Sequence, residues 1–162
     1  MTVELAGTER LDEVRELWLE LHHHHQAVVH TVPLVQDDEL SWRRRRALYA
    51  ERLDAGTGFL VLATDADAVV GYALVCIEEG PDDTFDVNGG IAEVVTLIVT
   101  REQRSTGVGR VLLEAAEAVA RDRGFDTMKI AVMSGNVRAR EFYENHGYLV
   151  GEHVLYRKLD HR

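Results

Sequence analysis

The sequence predicts one α/β domain in which a mixed sheet is flanked by helices. Two patterns predict it: buried strands alternate with amphipathic helices in the second half of the chain, and a hairpin follows two helical segments in the first half. The chain has 162 residues, of which 46% are hydrophobic and 28% are charged. That length and balance are typical of a single globular domain, so we expect residues 1–162 to fold as one unit.

The first half is expected to contain a short strand, two helices and a hairpin. The strand is predicted at Thr2–Ala6. Apolar residues then recur at helical spacing and predict a first helix: Leu11, Val14, Trp18 and Leu21. A second helix is expected at about 38–53, ended by a glycine-containing turn. Two β-branched apolar runs at 59–63 and 69–77 flank a short polar turn and predict the hairpin.

The second half opens with the clearest strand, at 92–100, whose continuous apolar run predicts burial on both faces. An amphipathic helix follows, with an apolar stripe formed by Val108, Val111, Leu112, Ala115 and Val119. A further buried strand is expected at 128–133, and then a short helix that ends near Gly147. Two short strands at 148–150 and 154–159 are expected to complete the sheet.

Composition and charge exclude several classes of function. The 18 basic and 28 acidic residues give a net charge of −10, which argues against nucleic acid as the main partner. We find no signal peptide pattern and no apolar stretch long enough to span a bilayer, so a cytoplasmic protein without a membrane partner is expected. The single cysteine, Cys76, excludes an intramolecular disulfide and a cysteine-based zinc site.

The acidic residues are concentrated in the middle of the chain. Segment 53–100 holds nine acidic residues and no Lys or Arg. Five of these acids crowd the loop before strand 92–100: Glu78, Glu79, Asp82, Asp83 and Asp86. They would attract a cationic ligand, or they only keep the tip of a hairpin hydrophilic.

Two runs of identical residues are expected to have simple roles. The four consecutive histidines at 22–25 would point in four directions on a helix, so solvated histidines or histidines that line a lid are favoured, and we expect no metal. The four arginines at 43–46 wrap around their helix in the same way and favour a solvated surface.

The junction between strand 92–100 and the next helix has the composition of an anion-binding site. Gly107 and Gly109 leave room for a ligand to approach the backbone, and the helix start offers unpaired N–H groups. A P-loop would need Lys and Ser or Thr where Arg110 and Val111 stand, and a dinucleotide fingerprint would need a small residue at Leu112. A phosphate or pyrophosphate site remains, unless the glycines serve the turn alone.

Two motifs carry a resemblance to a known family. Segment 94–113 resembles motif A of the GNAT superfamily of N-acetyltransferases, in which R-x-x-G-x-G joins a buried strand to an amphipathic helix. Segment 136–148 resembles motif B, N-x-x-A-x-x-F-Y-x-x-x-G-[FY]. The resemblance covers nearly the whole chain. It implies a mostly antiparallel sheet with two splayed parallel strands, and acetyl transfer from acetyl-coenzyme A to a primary amine in a ternary complex.

The resemblance also implies which residues bind the coenzyme. The backbone of Leu97, Ile98 and Val99 would pair with the pantetheine arm where two parallel strands separate. Asn136 would form a hydrogen bond with the coenzyme near the motif B helix. The pyrophosphate would be held by the backbone amides of one segment: Arg104, Ser105, Thr106, Gly107, Val108, Gly109 and Arg110.

Tyr143 occupies the position at which many members of the family keep a general acid. An O–H at this position would protonate the departing thiolate and improve the leaving group. The alternative is a core aromatic residue beside Phe142.

Glu93 is the candidate general base. Strict alternation along its strand would place it on the face of Val95, Leu97 and Val99. A carboxylate among apolar residues has its pKa raised toward the range of a base. Some family members place a base at this position, whereas others abstract the proton through water or another residue. The alternative is a solvated charge at a strand end.

The resemblance leaves the acceptor open. It could be a small-molecule amine, which the acidic segment suggests is cationic, or a protein amine. A homodimer is compatible with the sequence. The runner-up in another class of function is a coenzyme-binding sensor of the same fold that has no turnover.

Overall fold

The computed structural model describes residues 1–80 and 83–159. Its sheet has five strands in the order β1-β2-β3-β4-β5. Neighbouring strands are antiparallel except β4 and β5, which are parallel. The strands are β1 (Thr2–Ala6), β2 (Gly58–Asp65), β3 (Ala68–Glu78), β4 (Ile91–Val99) and β5 (Met128–Ile130). The predicted mixed, mostly antiparallel sheet is confirmed.

The helices are α1 (Arg15–Val28), α2 (Asp38–Asp54), α3 (Val108–Asp122) and α4 (Val137–Asn145). A 3-10 segment at Thr8–Val14 leads into α1, and a shorter one at Arg101–Gln103 precedes α3. The Asp37 side chain caps α2 by accepting a hydrogen bond from the Leu40 N–H at 2.6 Å. The predicted helices are therefore confirmed, except that Leu11 and Val14 lie in the 3-10 segment before α1 and that Val111 of the predicted α3 stripe is exposed.

The helices cover both faces of the sheet. On one face, α3 packs its buried residues Leu112, Leu113 and Ala116 against three residues of the central strands: Val61, Val75 and Val94. On the other face, α1 and α2 bury Trp18, Tyr49, Leu60, Tyr72 and Leu74. The Tyr49 hydroxyl is fully buried and forms hydrogen bonds with Thr96 and, at 3.2 Å, with Tyr72. α2 is thereby fixed to β4, which matters for the site below.

A β-bulge interrupts β4. Leu74 of β3 pairs with Thr96, but the next residue, Val75, pairs with Val94, so Val95 has no opposite residue. A bulge of this kind places two residues opposite one and reverses the alternation of side chains beyond it.

The bulge corrects the expected orientation of Glu93. Glu93 shares the α1–α2 face with Val95, whereas Leu97 and Val99 pack on the α3 face. Strict alternation was wrong because one inserted residue lies between the two halves of the strand. Burial on both faces also fails at Glu93, Val95 and Leu97, which are partly exposed.

The end of the chain differs most from the prediction. The strand expected at 128–133 ends at Ile130, and the closing strands expected at 148–150 and 154–159 are wrong, because residues 148–159 have no regular structure. Leu149 and Leu155 are each 92% exposed. β-Propensity alone does not make a strand without an edge to pair with, and the three residues of β5 offer a short one. No helix in the described part of the chain is long and apolar enough to cross a membrane.

Candidate active site

A gap opens in the sheet between β4 and β5. Their parallel pairing ends at Val94 and Ile130, immediately before the bulge at Val95. Beyond that pair, the β4 amide and carbonyl groups that point toward β5 have no strand partner in the sheet. Such groups need hydrogen bonds from another source, which makes this edge a place for an extended ligand to bind.

A cavity of about 410 Å³ lies at the gap. It is lined from the sheet by Val95, Thr96 and Leu97, and from the chain after β5 by residues 130–133. Helices from both faces complete its walls: Trp18, Leu21, His22 and His25 of α1, Ser41, Arg44, Arg45 and Leu48 of α2, and Ala139 and Tyr143 of α4. The cavity therefore connects the α1–α2 side of the sheet with the α4 side.

The loop before α4 lies directly against the end of α1. A Cβ added at Gly135 would clash with the Val28 carbonyl oxygen, so only glycine permits this approach. Asn136 lines the cavity, and its Oδ1 caps α4 by accepting from the Ala139 N–H at 3.3 Å. His24 of α1 also lies within 3.4 Å of Asn136 Oδ1. Asn136 is thus held in the cavity wall by contacts with α4 and α1.

The start of α3 offers backbone N–H groups without a side-chain cap. Gly107 is the N-cap residue, at φ 96°, and no side chain accepts from the first turn. That left-handed conformation explains the glycine, because residues with a Cβ rarely adopt it. The Thr106 hydroxyl is directed away and donates to the Gln103 carbonyl at 2.6 Å. An anion at this helix start would meet free N–H groups and the positive end of the helix dipole.

Arginine side chains around this junction have distinct roles. Arg104 donates to the Val99 carbonyl at 3.1 Å and pairs with Glu20 of α1 at 2.5 Å, so its side chain holds α1 to the end of β4. Arg138 of α4 donates to Ser105 Oγ at 3.2 Å and brings a cation beside the helix start. Sequence reasoning missed Arg138, although its place two residues after Asn136 in motif B was a usable signal.

Tyr143 is 6% exposed and packs against Phe142 and Tyr148, with ring centroids 5.1 and 5.6 Å away. Burial raises the pKa of its phenol above the usual range, and the neighbouring Tyr148 adds to the shift. Its hydroxyl has no hydrogen-bond partner among the described residues, while the side chain lines the cavity. The phenol is therefore protonated at neutral pH and available to donate.

Glu93 lies outside the cavity lining. Its carboxylate is 3.6 Å from Lys129 Nζ, which in turn pairs with Glu78 at 2.7 Å. Burial raises the pKa of Glu93 to about 7, a hydrogen bond with Glu78 adds to the shift, and the charge of Lys129 opposes it. The pKa of Glu93 is thus suited to a general base, but Glu93 does not line the cavity that Tyr143 lines.

The structure describes part of the acidic loop and the whole of the histidine run. Of the acidic loop, Glu78 is paired with Lys129, and Asp82 lies outside the described residues. Among the histidines, His22 is buried and within 2.8 Å of the Val35 carbonyl, while burial lowers the pKa of His25 to about 4. The described residues contain no group of three or more side chains arranged to hold a metal ion.

The arginine run is not the uniform solvated surface that the sequence suggested. Arg46 pairs with Asp12 at 2.7 Å, but Arg45 is half-buried, lies 4.0 Å from the centroid of the Trp18 ring and lines the cavity with Arg44. The sequence spacing could have indicated this position of Arg45. Ser41 and Tyr49 lie on the buried face of α2, and Arg45 is four residues from each, so it lies on the same face.

The chain matches the model of the acetyltransferase (GNAT) family over residues 11–148. It belongs to this family. Membership confirms the prediction of a GNAT acyltransferase, and acetyl-coenzyme A is the co-substrate that this family implies.

One curated relative is the mycothiol acetyltransferase of Thermobispora bispora, which is 36% identical over 90 residues. That match covers 54% of this chain and only 28% of the relative's length.

Solved structures share the fold. A mutant of the BH1408 protein of Bacillus halodurans superposes with a TM-score of 0.81 at 19% identity, covering 98% of this chain and 99% of that one. A GCN5-related N-acetyltransferase from Ralstonia eutropha gives 0.78 at 14% identity, covering 97% of both chains. Aminoglycoside N-acetyltransferase AAC(6')-Iy, in complex with CoA, gives 0.74 at 16%, covering 98% of this chain and 93% of that one.

Proposed function

We propose that this enzyme transfers the acetyl group of acetyl-coenzyme A to a primary amine by direct attack within a ternary complex. The observation that carries the proposal is the cavity at the β4–β5 gap. Leu97, Asn136 and Tyr143 line it together, and walls from both faces of the sheet let two substrates meet there. In this arrangement the coenzyme enters beside α3 and α4, and the amine enters between α1 and α2.

The coenzyme is bound mainly by backbone N–H and C=O groups. The free edge of Leu97, Ile98 and Val99 pairs with the pantetheine arm, because the neighbouring strand has diverged. The pyrophosphate sits on the amides of 104–110, where α3 begins without a side-chain cap. Asn136 keeps its Oδ1 for Ala139 and donates to the coenzyme from Nδ2.

Tyr143 serves as the general acid. As the amine nitrogen bonds to the acetyl carbon and the carbon–sulfur bond breaks, the Tyr143 hydroxyl donates its proton to the departing sulfur. A backbone N–H near Leu97 donates to the thioester oxygen as negative charge develops there. Cys76, the only cysteine, is buried with a raised pKa and does not line the cavity, which supports direct transfer over a thiol-bound acetyl intermediate.

Glu93 serves as the general base through water. A pKa of about 7 suits a base that works near neutral pH. Because Glu93 is outside the cavity lining, at least one water molecule has to relay the ammonium proton to it.

A coenzyme-release assay against a panel of amines tests the proposal. The panel contains amino acids, aminoglycosides and a peptide with a free N-terminus, the last representing a protein-modifying acetyltransferase. We expect amine-dependent release of coenzyme A with at least one small amine, and an acetylated product by mass spectrometry. Tight coenzyme binding without turnover on any amine would instead favour a sensor, and turnover of the peptide alone would favour protein modification.

A further inference from the structure

The charge of the cavity contrasts with the charge of the protein. The chain carries a net charge of −10, yet the described residues that line the cavity include Arg44 and Arg45 and no Asp or Glu. His25 lines the cavity from α1, and burial lowers its pKa to about 4, so it adds no charge at physiological pH. A substrate in this cavity therefore meets positive charge on the α2 side.

Arg45 is an arginine without a carboxylate partner. Arg45 is half-buried, its guanidinium carbon lies 4.0 Å from the centroid of the Trp18 ring, and no acidic side chain of the described residues lies within ion-pair distance of it. Arg46 and Arg104, in contrast, each pair with an acid. Withdrawing a guanidinium from water has a cost that the Trp18 contact offsets only in part, so an anionic ligand group would bind here favourably.

Apart from the arginines, the cavity lining is largely apolar and carries no acidic side chain among the described residues. Its other polar side chains include Ser41 and Thr96, which are uncharged, and its large apolar side chains include Trp18, Leu21, Leu34, Val35, Leu48 and Met133. A molecule that fits this lining has an apolar body and one anionic group. The planar fork of a guanidinium matches a carboxylate in two parallel hydrogen bonds.

We propose that the acceptor is an amine that also carries a carboxylate on an apolar body, and that Arg45 binds this carboxylate, with Arg44 at the mouth of the cavity. The inference rests on the proposed function, because it names the substrate class of the same site. It makes Arg45 the residue that determines specificity between α-amino acids and amines that lack the acid.

Matched pairs of amines test the inference by kinetics. The pairs are L-phenylalanine, L-leucine and L-methionine, each against its amide. We expect kcat/KM for the acid to exceed that for the amide by about 10- to 100-fold, the usual worth of a charge-assisted pair. Arg45→Gln should bring the ratio close to one, and Arg45→Lys, which keeps the charge and most of the packing, should retain part of it.

Arg43→Gln is the matched control, because it removes an exposed arginine from the same run without touching the cavity lining. The control should leave the acid-to-amide ratio as in the wild type. Thermal unfolding of each variant establishes that it folds, and Arg45→Lys carries the test if Arg45→Gln does not.

Calorimetry supplies a readout that needs no turnover. With coenzyme A present, N-acetyl-L-phenylalanine should bind at least tenfold more tightly than N-acetyl-L-phenylalaninamide, and Arg45→Gln should remove the difference. Arg45-dependent binding of the acid with no turnover of any amine would overturn the proposed function and keep the anion site. Turnover without a preference for the acid, a preference insensitive to Arg45, or no acid preference in either assay would overturn the anion site.

Discussion

At the scale of single residues, burial decides what each titratable group can do. Tyr143 is buried without a hydrogen-bond partner among the described residues, and burial raises the pKa of its phenol, so the hydroxyl stays protonated at neutral pH. Glu93 is 21% exposed and adjoins a second carboxylate, so it ionises near neutral pH. The same physical cause, loss of water, keeps the phenol of Tyr143 protonated at neutral pH and raises the pKa of Glu93 into the range of a base.

Replacing Tyr143 by phenylalanine should lower kcat by roughly 10- to 1000-fold, because the departing sulfur loses its proton donor. Coenzyme affinity should remain nearly unchanged, since the hydroxyl acts mainly in the transition state. Steady-state kinetics and calorimetry measure the two effects. Tyr156→Phe, which removes an exposed hydroxyl, is the control. An unchanged kcat with chemistry rate-limiting would make Tyr143 a packing residue.

Replacing Glu93 by glutamine should change two pH profiles. As a base, Glu93 must be ionised, so wild-type kcat should rise with pH through about 7, and the variant should lose that limb. The folded pKa lies above the ordinary 4.5, so the folded state holds the proton longer and the free energy of unfolding falls as pH rises from about 4.5 to 7.

Glu93→Gln should flatten this decline in stability, which denaturant unfolding across that pH range measures. Glu152→Gln, which removes an exposed carboxylate, should alter neither profile. If stability flattens while the kinetic limb persists, Glu93 has the perturbed pKa and another group is the base.

At the scale of elements, the sequence predicted the features that depend on neighbouring residues, such as the hairpin turn, and missed those that depend on distant ones. The hairpin turn is set by Ala66 and Asp67, both at positive φ, and the polar run at 65–67 signalled it. The bulge at Val95 could not be predicted, because an apolar residue in an apolar strand gives no sign of which register the partner will take. The closing strands failed for a related reason, since pairing depends on an edge that is distant in sequence.

The start of α3 gives the sharpest test at this scale. Gly107→Val should abolish the rise in melting temperature that acetyl-coenzyme A produces, because a branched side chain strains the φ of 96° and crowds the N–H groups. Gly124→Val is matched, since Gly124 also has positive φ and open space around it but lies at the far end of α3. It should lower stability and keep the coenzyme-induced shift. Equal loss in both variants would contradict a local effect at Gly107.

At the scale of the whole molecule, charge and geometry act at different ranges. The acidity of the middle segment can be counted in the sequence. The position of Arg45 in the cavity depends on the packing of α2 against β4, which the sequence does not show. The four arginines looked alike in sequence because helical position alone separates them. Long-range steering depends on net charge, and the fit inside the cavity depends on individual groups.

Neutralising Glu79, Asp83 and Asp86 together should raise KM for a cationic amine such as L-phenylalaninamide and leave KM for zwitterionic L-phenylalanine nearly unchanged. The effect on the cation should be largest at low ionic strength and should shrink once salt shortens the Debye length to about 8 Å. Initial rates at several salt concentrations measure it. If KM for the cation changes neither with salt nor with the substitutions, the acidic residues serve solubility alone.

Direct acetyl transfer to an amine in a ternary complex is tested most directly by initial rates of coenzyme A release, measured over a matrix of acetyl-coenzyme A and amine concentrations. The amine is the best substrate of the panel. Double-reciprocal plots should intersect, because both substrates must occupy the cavity before the acetyl group moves. Parallel lines, which indicate a covalent acetyl-enzyme, or coenzyme release that does not depend on the amine, would contradict the account.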